Sequence, residues 1–248
     1  MRINAFLARC GIASRRGTDS LIAEGRVIVN GHIAVLGQAV DPGRDEVVVD
    51  GRRVDTRRLE LSEAHTTILL HKPAGYLVSR RDPHHSRTIY DLLPEHLHHL
   101  VPVGRLDLDT EGALLLSDNG LLVERLTHPR YQVPKVYRVV VKGRPDASSL
   151  ERLRRGVTIE GRVTSPATVD LIRQEADRAE VELTLREGRK REVRLMCRAV
   201  GHPVLSLRRV RFAGIGLADL ARGKWRVLSE AEMKSLRKEA GLAHGSRD

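Results

Sequence analysis

The sequence has few of the features that build disulfide-rich, secreted or membrane-spanning proteins. Its two cysteines, Cys10 and Cys197, stand far apart, which indicates neither a disulfide framework nor a zinc cluster. No apolar stretch approaches the width of a bilayer, and the N-terminus lacks the long apolar core of a secretion signal. We therefore expect a protein of the reducing cytoplasm that does not bind membranes.

Positive charge is what the sequence has in excess. The 248 residues carry a formal net charge of +11 and a pI near 10.3, and arginine supplies 36 of the 43 basic residues. The forked guanidinium group suits paired contacts to phosphate, so we expect a polyanionic partner. Because no amphipathic basic helix is visible, nucleic acid is favoured over a membrane surface.

An acidic turn between Gly104 and Gly112 is the most informative stretch of the chain. Pro102 and Gly104 disfavour a helix before the turn, and Gly112 supplies backbone freedom after it. The apolar run Ala113 to Leu116 that follows is short enough for a buried strand. The turn would therefore hold carboxylates at the rim of a hydrophobic core. Such a position makes them candidates for chemistry.

Three chemical interpretations of this turn compete. Asp107, Asp109 and Glu111 alternate as metal ligands do, but no Asx-rich twelve-residue loop follows, so calcium is disfavoured. A phosphoryl-transfer pair of aspartates is disfavoured by Arg105, which would compete for their charge. The third interpretation is a single nucleophilic or basic carboxylate, Asp107, kept ionised by Arg105. A solvated turn without chemistry remains the structural alternative.

The pattern of apolar residues predicts two domains of the α+β class. Residues 1–58 read as two helices, the second capped by Ser14, followed by strands with tight turns at Asn30-Gly31 and Asp50-Gly51. Residues 59–65 are polar and without periodicity, as in a linker, and residues 241–248 are expected to form a flexible tail. Residues 66–240 predict a mixed, largely antiparallel sheet flanked by helices.

Three histidines, His96, His98 and His99, precede the acidic turn and could bind a metal ion. No cysteine or acidic residue stands at ligand spacing from them, and a surface loop explains them equally well. We therefore predict no metal site.

Several motifs together resemble those of the RNA pseudouridine synthases. Gly104-Arg105-Leu106-Asp107, followed by Asp109-Thr110-Glu111-Gly112 and a leucine run, resembles the catalytic motif of that family. The resemblance is narrower to the branch of the small-subunit enzyme RsuA and the large-subunit enzyme RluB, with RluB the nearer. Residues 1–58, with Gly25-Arg26-Val27-Ile28-Val29-Asn30-Gly31, are similar to the S4 RNA-binding module. The combined resemblance runs from Arg2 to about Leu228.

The resemblance implies roles for particular residues. Asp107 would be catalytic, Tyr137 of the Lys-x-Tyr motif would lie against the target base, and Arg194 would pair with Asp107 and orient it. Aromatic residues make up only 3% of the chain, so Tyr137 in a matching strand is conspicuous. The implied substrate-binding residues are Arg105, Lys72, Arg189, Lys190 and Arg191. The implied RNA-facing residues of the S4-like module are Arg2, Arg9, Arg15, Arg16 and Arg26.

Two departures from the motif stand near Arg194: Glu192 replaces the usual Gln, and Leu195 replaces a frequent Arg. The fold is unaffected by them, whereas the RNA contacts made there are in doubt.

The activity implied is isomerisation of uridine in ribosomal RNA, free or in a pre-ribosomal particle, by a monomer without cofactor or metal. Asp107 would act either as a nucleophile or as the base that takes the 2′ proton, and the sequence leaves both open. The resemblance of the overall pattern to RluB favours large-subunit rRNA, with small-subunit rRNA as the alternative. A non-catalytic S4-type RNA-binding factor is disfavoured because a pure binder has no use for the set Asp107, Tyr137 and Arg194.

Overall fold

A computed structural model of the chain describes residues 1–13, 15–41, 44–54, 65–80, 82–83 and 85–242. The side chains of Arg9, Arg15 and Arg16 are also outside this description. The chain divides into two compact units, residues 1–65 and 66–248. The expected cap Ser14, nearly all of the expected linker and most of the expected tail lie outside the described residues. No described helix combines the length and apolar character needed to cross a bilayer.

The first unit pairs two helices with a small antiparallel sheet. Its elements are α1 (Ile3–Arg9), α2 (Arg15–Ala23), β1 (Val27–Val29), β2 (His32–Ile33), β3 (Val47–Val49) and β4 (Arg52–Arg53), with the strands ordered β2-β1-β3-β4. Asn30-Gly31 and Asp50-Gly51 both have positive φ, as the predicted two-residue hairpin turns require. The core is formed by residues that include Ile3, Phe6 and Leu7 of α1. The expected helix-helix-hairpin arrangement is confirmed.

The second unit is built on a mixed sheet of nine strands. Its strands are β5 (Thr67–Lys72), β6 (Val101–Pro102), β7 (Glu111–Ser117), β8 (Lys135–Lys142), β11 (Thr168–Gln174), β12 (Arg178–Leu185), β13 (Val204–Phe212), β14 (Ile215–Gly216) and β15 (Trp225–Val227), while β9 (Thr158–Ile159) and β10 (Arg162–Val163) form a separate two-stranded hairpin. The main path of the sheet runs β11-β12-β8-β13-β7-β5-β15, with β14 beside β13 and β6 beside β7. The strand β13 runs parallel to β7, whereas the other named pairings in the described residues are antiparallel. The predicted mixed, largely antiparallel sheet is confirmed.

In the described part of this unit four α-helices flank the sheet, and polar caps start three of them. They are α3 (Gly120–Thr127), α4 (Ala147–Arg155), α5 (Glu192–Ala199) and α6 (Glu230–Glu239). Asn119, Asp146 and Ser229 each accept a backbone N–H of the first turn through a side-chain oxygen. The helix α5 instead begins after Arg191 in a left-handed conformation, with no side-chain cap.

The central strands β5 and β7 are buried on both faces. Leu69 and Leu115 pack with α3 and α6 on one face, while Ile68 and Leu114 pack under the segment of residues 89–106 on the other. Successive side chains of a strand point to opposite faces, so a continuous apolar run is what a doubly covered strand requires. Because β7 begins directly after the acidic turn, its buried apolar run fixes the turn at the edge of the core.

Close approach of two backbones makes Gly112 essential to the sheet. Its φ is +124°, and a Cβ there would lie 2.2 Å from the carbonyl oxygen of Arg209 on β13.

We expect Gly112→Ala to lower the free energy of unfolding by about 2–4 kcal/mol, because strain and overpacking act together. Urea denaturation measures this. The control is Gly120→Ala at the open start of α3, where no atom lies within 4 Å and stability should hold or rise. Equal midpoints for the two variants would contradict the argument.

Candidate active site

The loop that carries Asp107 is held from beneath by a buried lysine. Lys72, the last residue of β5, is fully buried, and its ammonium donates to carbonyl oxygens of Pro73, Asp107, Leu108 and Thr110 at 2.8–3.4 Å. Burial lowers its pKa to about 8, while the carboxylates of the loop oppose that effect. One cation therefore fixes the loop backbone at Asp107 and at two residues that follow it, and it also binds Pro73 of another segment.

The carboxylates of this loop differ in what they contact. Asp109 forms ion pairs with Arg194 at 3.1 Å and Arg191 at 3.6 Å, and its carbonyl oxygen accepts a second bond from Arg194. Glu111 pairs with Arg222 at 3.1 Å. Among the described residues none hydrogen-bonds the carboxylate of Asp107, which is half-buried and lines a cleft. Asp107 is thus the acid of the loop that is free to meet a ligand.

An aromatic ring and a buried arginine line the same cleft as Asp107. Tyr137 on β8 is half-buried, and burial raises the pKa of its phenol, while the adjacent Arg209 guanidinium acts in the opposite direction. Arg209 on β13 is 2% exposed and donates through Nε to the Ala113 carbonyl at 2.8 Å. Its guanidinium also lies over the ring of Phe212 at 4.7 Å.

A pair of glutamates lies at the start of α5. Glu192 is 4% exposed, and its Oε2 accepts the backbone N–H of Arg189 at 2.9 Å. Burial and a hydrogen bond with Glu187 raise the pKa of Glu192 to about 7. Although burial acts to raise the pKa of Glu187, hydrogen bonds with Glu192 and the N–H of Ser165 and the charge of Arg189 lower it overall. Glu187 is therefore the acid of the pair that ionises more readily.

These groups surround one cleft of about 480 Å³ in the second unit. Its walls include Asp107, Tyr137, Lys135, Arg209 and Glu192, with apolar residues such as Leu207 and Phe212 beneath. The rim is basic: Arg105, Lys190 and Arg191 are exposed along it. A cleft with a carboxylate, a phenol and a cationic rim suits a planar polar group attached to a polyanion. Among the described residues no three His, Cys, Asp or Glu side chains converge to hold a metal ion.

Sequence profiles of known families match most of the chain. That of the RNA pseudouridylate synthases matches residues 66–199, and that of the S4 domain matches residues 1–47. The chain belongs to the RNA pseudouridine synthase family. This synthase is 40% identical over 249 residues to an uncharacterised RNA pseudouridine synthase of Aquifex aeolicus, covering 100% of this chain and 98% of the relative.

Relatives with more specific names are nearly as similar. Ribosomal large subunit pseudouridine synthase B of Bacillus subtilis is 36% identical over 239 residues, 95% of each chain. The protein of the same name from Salmonella typhimurium is 39% identical over 241 residues, 95% of this synthase and 82% of the relative. A crystal structure of a pseudouridylate synthase superimposes with a TM-score of 0.68 at 27% identity, covering 95% of this synthase and 99% of that chain.

The structure corrects three of the expected side-chain positions in the synthase domain. Lys72 does not line the cleft, because its ammonium is enclosed by loop carbonyls. Arg194 pairs with Asp109 rather than Asp107, because both the carbonyl and carboxylate of Asp109 face α5. Arg189 lines the cleft, but its guanidinium is occupied by Glu187 and by the carbonyls of Arg162 and Val163, so it braces the β9–β10 hairpin. Asp107, Tyr137, Arg105, Lys190 and Arg191 do meet at the cleft.

In the S4 unit two of the arginines expected to face RNA, Arg2 and Arg26, instead contact groups of the protein itself. Arg26 is held by Asp50 at 2.7 Å and Glu24 at 2.9 Å, and Arg2 donates to the Gly37 carbonyl. Arg26 therefore braces the hairpin, and its charge is largely compensated by its two partners. The backbones of Arg9, Arg15 and Arg16 lie in α1 and α2, and their side chains are outside the description.

Sequence reasoning gave no role to Arg209 and Lys135 and treated Glu192 only as a departure from a motif. A signal existed for Arg209: in a strand it shares a face with Leu207, so an inward-facing arginine follows from the period of two. Nothing in the spacing of Glu187 and Glu192 distinguishes a buried pair from a solvated one.

We expect Lys72→Met to disrupt the loop of Asp107. Four carbonyl groups lose their shared donor, so the free energy of unfolding should fall by about 2–4 kcal/mol and turnover by roughly a hundredfold or more. Thermal melts and single-turnover rates measure the two effects. The exposed Lys224, whose carbonyl accepts the N–H of His71, provides the matched control as Lys224→Met. A Lys72 variant with the melting temperature and rate of that control would contradict the proposed anchor.

Proposed function

We propose that this synthase converts specific uridines of large-subunit ribosomal RNA to pseudouridine, with Asp107 as the catalytic carboxylate. The observation that carries the proposal is the Asp107 carboxylate, which has no hydrogen-bond or ion-pair partner in the described chain and lines the same cleft as Tyr137. Support for the large subunit comes from the names of relatives that are similar over nearly the whole chain. Small-subunit rRNA is the alternative substrate.

The reaction exchanges one bond to the ribose for another. The bond between N1 of uracil and C1′ breaks, the base turns, and a bond from C5 to C1′ forms. The hydrogen on C5 leaves as a proton, and N1 gains one, so the reaction is redox-neutral and needs no cofactor or metal. Asp107 acts either by attack on the sugar or by removal of the 2′ proton, and both require its ionised form.

The cleft suits a base that has left its stack. A buried uridine of folded RNA reaches a pocket only when it is rotated out of the helix, which costs a few kcal/mol. Arg105, exposed beside Asp107, is positioned to fill the vacated space, and Tyr137 offers a ring face to the flipped uracil. The basic rim formed by Lys190 and Arg191 then meets the phosphates on either side of the target.

The S4 unit supplies affinity away from the target base. We infer that the synthase works as a monomer in the cytoplasm, on free rRNA or a pre-ribosomal particle, with this unit on flanking RNA. A non-catalytic S4-type binding factor would share the basic surface, but an unpartnered carboxylate beside RNA phosphate weakens binding and serves only chemistry. Comparison of pseudouridine maps of rRNA from cells with and without the gene tests the proposal. If every large-subunit pseudouridine remained in cells without the gene, the proposal would be overturned.

Asp107→Asn separates a catalytic carboxylate from a turn residue. The amide keeps the shape and the backbone bonds of the loop, so folding and RNA affinity should persist, while turnover falls by about 10³-fold or more. Asp109→Asn is the matched control; its carbonyl still holds Arg194, and activity should stay within about tenfold of wild type. Pseudouridine yield on rRNA and thermal melts are measured for both. An active Asp107 variant would leave the binding factor as the better account.

Replacing Arg15 and Arg16 together with Ala should weaken rRNA binding and make it less salt-dependent. Each lost phosphate contact reduces the slope of log K against log salt by about 0.7–0.9. Arg26→Ala is the internal control, because Asp50 and Glu24 already compensate its charge and the slope should barely change. Binding measured at several salt concentrations decides the matter. An unchanged slope in the double variant would mean that the first turn of α2 does not face RNA.

A further inference from the structure

Three residues on the wall of the cleft each have a buried polar atom with no hydrogen-bond partner among the described residues. One atom is the hydroxyl oxygen of Thr110. The other two, Oε1 of Glu192 and Nη2 of Arg209, belong to charged side chains that are 4% and 2% exposed. An unsatisfied buried group costs about 1–3 kcal/mol, and folded proteins contain few of them. Because both charged residues line the cleft, a bound molecule can supply the missing partners.

The other contacts of these side chains leave the two atoms available. Glu192 uses Oε2 for the N–H of Arg189 and hydrogen-bonds Glu187. Arg209 uses Nε for the carbonyl of Ala113 and hydrogen-bonds Tyr137. Both side chains are therefore fixed by the backbone, with one further polar atom left over. A rigid side chain with one remaining donor or acceptor favours recognition of a ligand over a merely structural role.

Lys135 adds a second donor to the same wall. Its ammonium donates to the Val133 carbonyl at 2.9 Å, and its remaining N–H groups have no acceptor among the described residues. Burial and the charge of Arg209 lower its pKa to about 8, while Glu192 acts in the opposite direction, which reflects how close the three groups lie. The wall thus offers one acceptor oxygen and two cationic donors.

This set is complementary to the edge of uracil. The base presents one N–H, at N3, between two carbonyl oxygens, O2 and O4. We propose that Glu192 is a specificity-determining residue whose Oε1 accepts the N3–H of the target uracil, while Arg209 and Lys135 donate to the two carbonyl oxygens. The inference rests on the proposed function, since it names how the same cleft selects its base.

The reaction itself favours such a pattern. The turn that brings C5 to the place of N1 is a half rotation about the line through N3 and C6, so it exchanges O2 with O4 and leaves N3–H in place. One acceptor on the axis and a donor for each carbonyl oxygen therefore hold the base equally well before and after the turn. Cytosine has a lone pair at N3 and an amino group at C4, so it opposes the acceptor and one of the donors.

The test compares uridine with 3-methyluridine at the target position of one synthetic rRNA fragment, chosen from the uridines that the wild-type enzyme modifies. Release of tritium from C5 gives kcat/KM for both substrates. Wild type should prefer uridine by about 10³-fold or more, because the methyl group removes the N–H. Glu192→Ala and the volume-conserving Glu192→Met should lower this preference at least tenfold, chiefly through slower reaction of uridine. Glu192→Gln, which keeps an acceptor oxygen, should retain most of it.

Glu187→Gln is the matched control. Glu187 hydrogen-bonds Glu192 and Ser165, so its loss should affect both substrates alike and leave their ratio unchanged. An unchanged ratio in both Glu192→Ala and Glu192→Met, while wild type is active on uridine, would overturn the inference without touching the proposed function. Absence of wild-type activity on rRNA would instead overturn the proposed function. Either substituted variant suffices if the other does not fold.

Discussion

The buried ammonium of Lys72 is the interaction on which the geometry of the site depends. It lies under the loop between β6 and β7 and donates to the backbone carbonyl of Asp107, to those of two residues after it, and to that of Pro73. A buried cation is tolerated only when its donors are satisfied, so the loop and the lysine each require the other. Gly112 completes the constraint, because it lets β13 approach β7 closely enough to bring Arg209 under the same cleft.

Charge around the cleft is arranged in layers. Below the surface, Lys72, Lys135 and Arg209 are cationic groups whose pKa values burial lowers, and Glu192 is an acid whose pKa it raises. At the surface, exposed arginines and lysines extend along the rim. The low dielectric beneath strengthens each interaction with a bound base, whereas the rim attracts phosphate from a distance. The same excess of arginine that marks the composition therefore serves two physically different purposes.

The elements of the fold were predictable to a large extent, because local patterns decide them. The apolar run Ala113 to Leu116 predicted β7, and the turns Asn30-Gly31 and Asp50-Gly51 predicted the hairpins. The parallel pairing of β13 with β7 was not predictable, since it joins segments about a hundred residues apart. The burial of Lys72 was missed for a different reason. Its partners are backbone carbonyls, which every residue type carries, so no residue pattern indicates them.

The acidic turn shows most clearly where sequence stops and structure is needed. Its three carboxylates alternate and look equivalent, yet each meets a different environment. Glu111 is compensated by Arg222 from a distant segment, and Asp109 by Arg194 and Arg191 of the segment that starts α5. The turn carries three negative charges, and cations supplied by long-range contacts are placed beside two of them. What distinguishes Asp107 is therefore the absence of a compensating side chain among the described residues, together with a backbone held by Lys72. A carboxylate fixed in position but left without a partner is the arrangement that nucleophilic or basic chemistry requires.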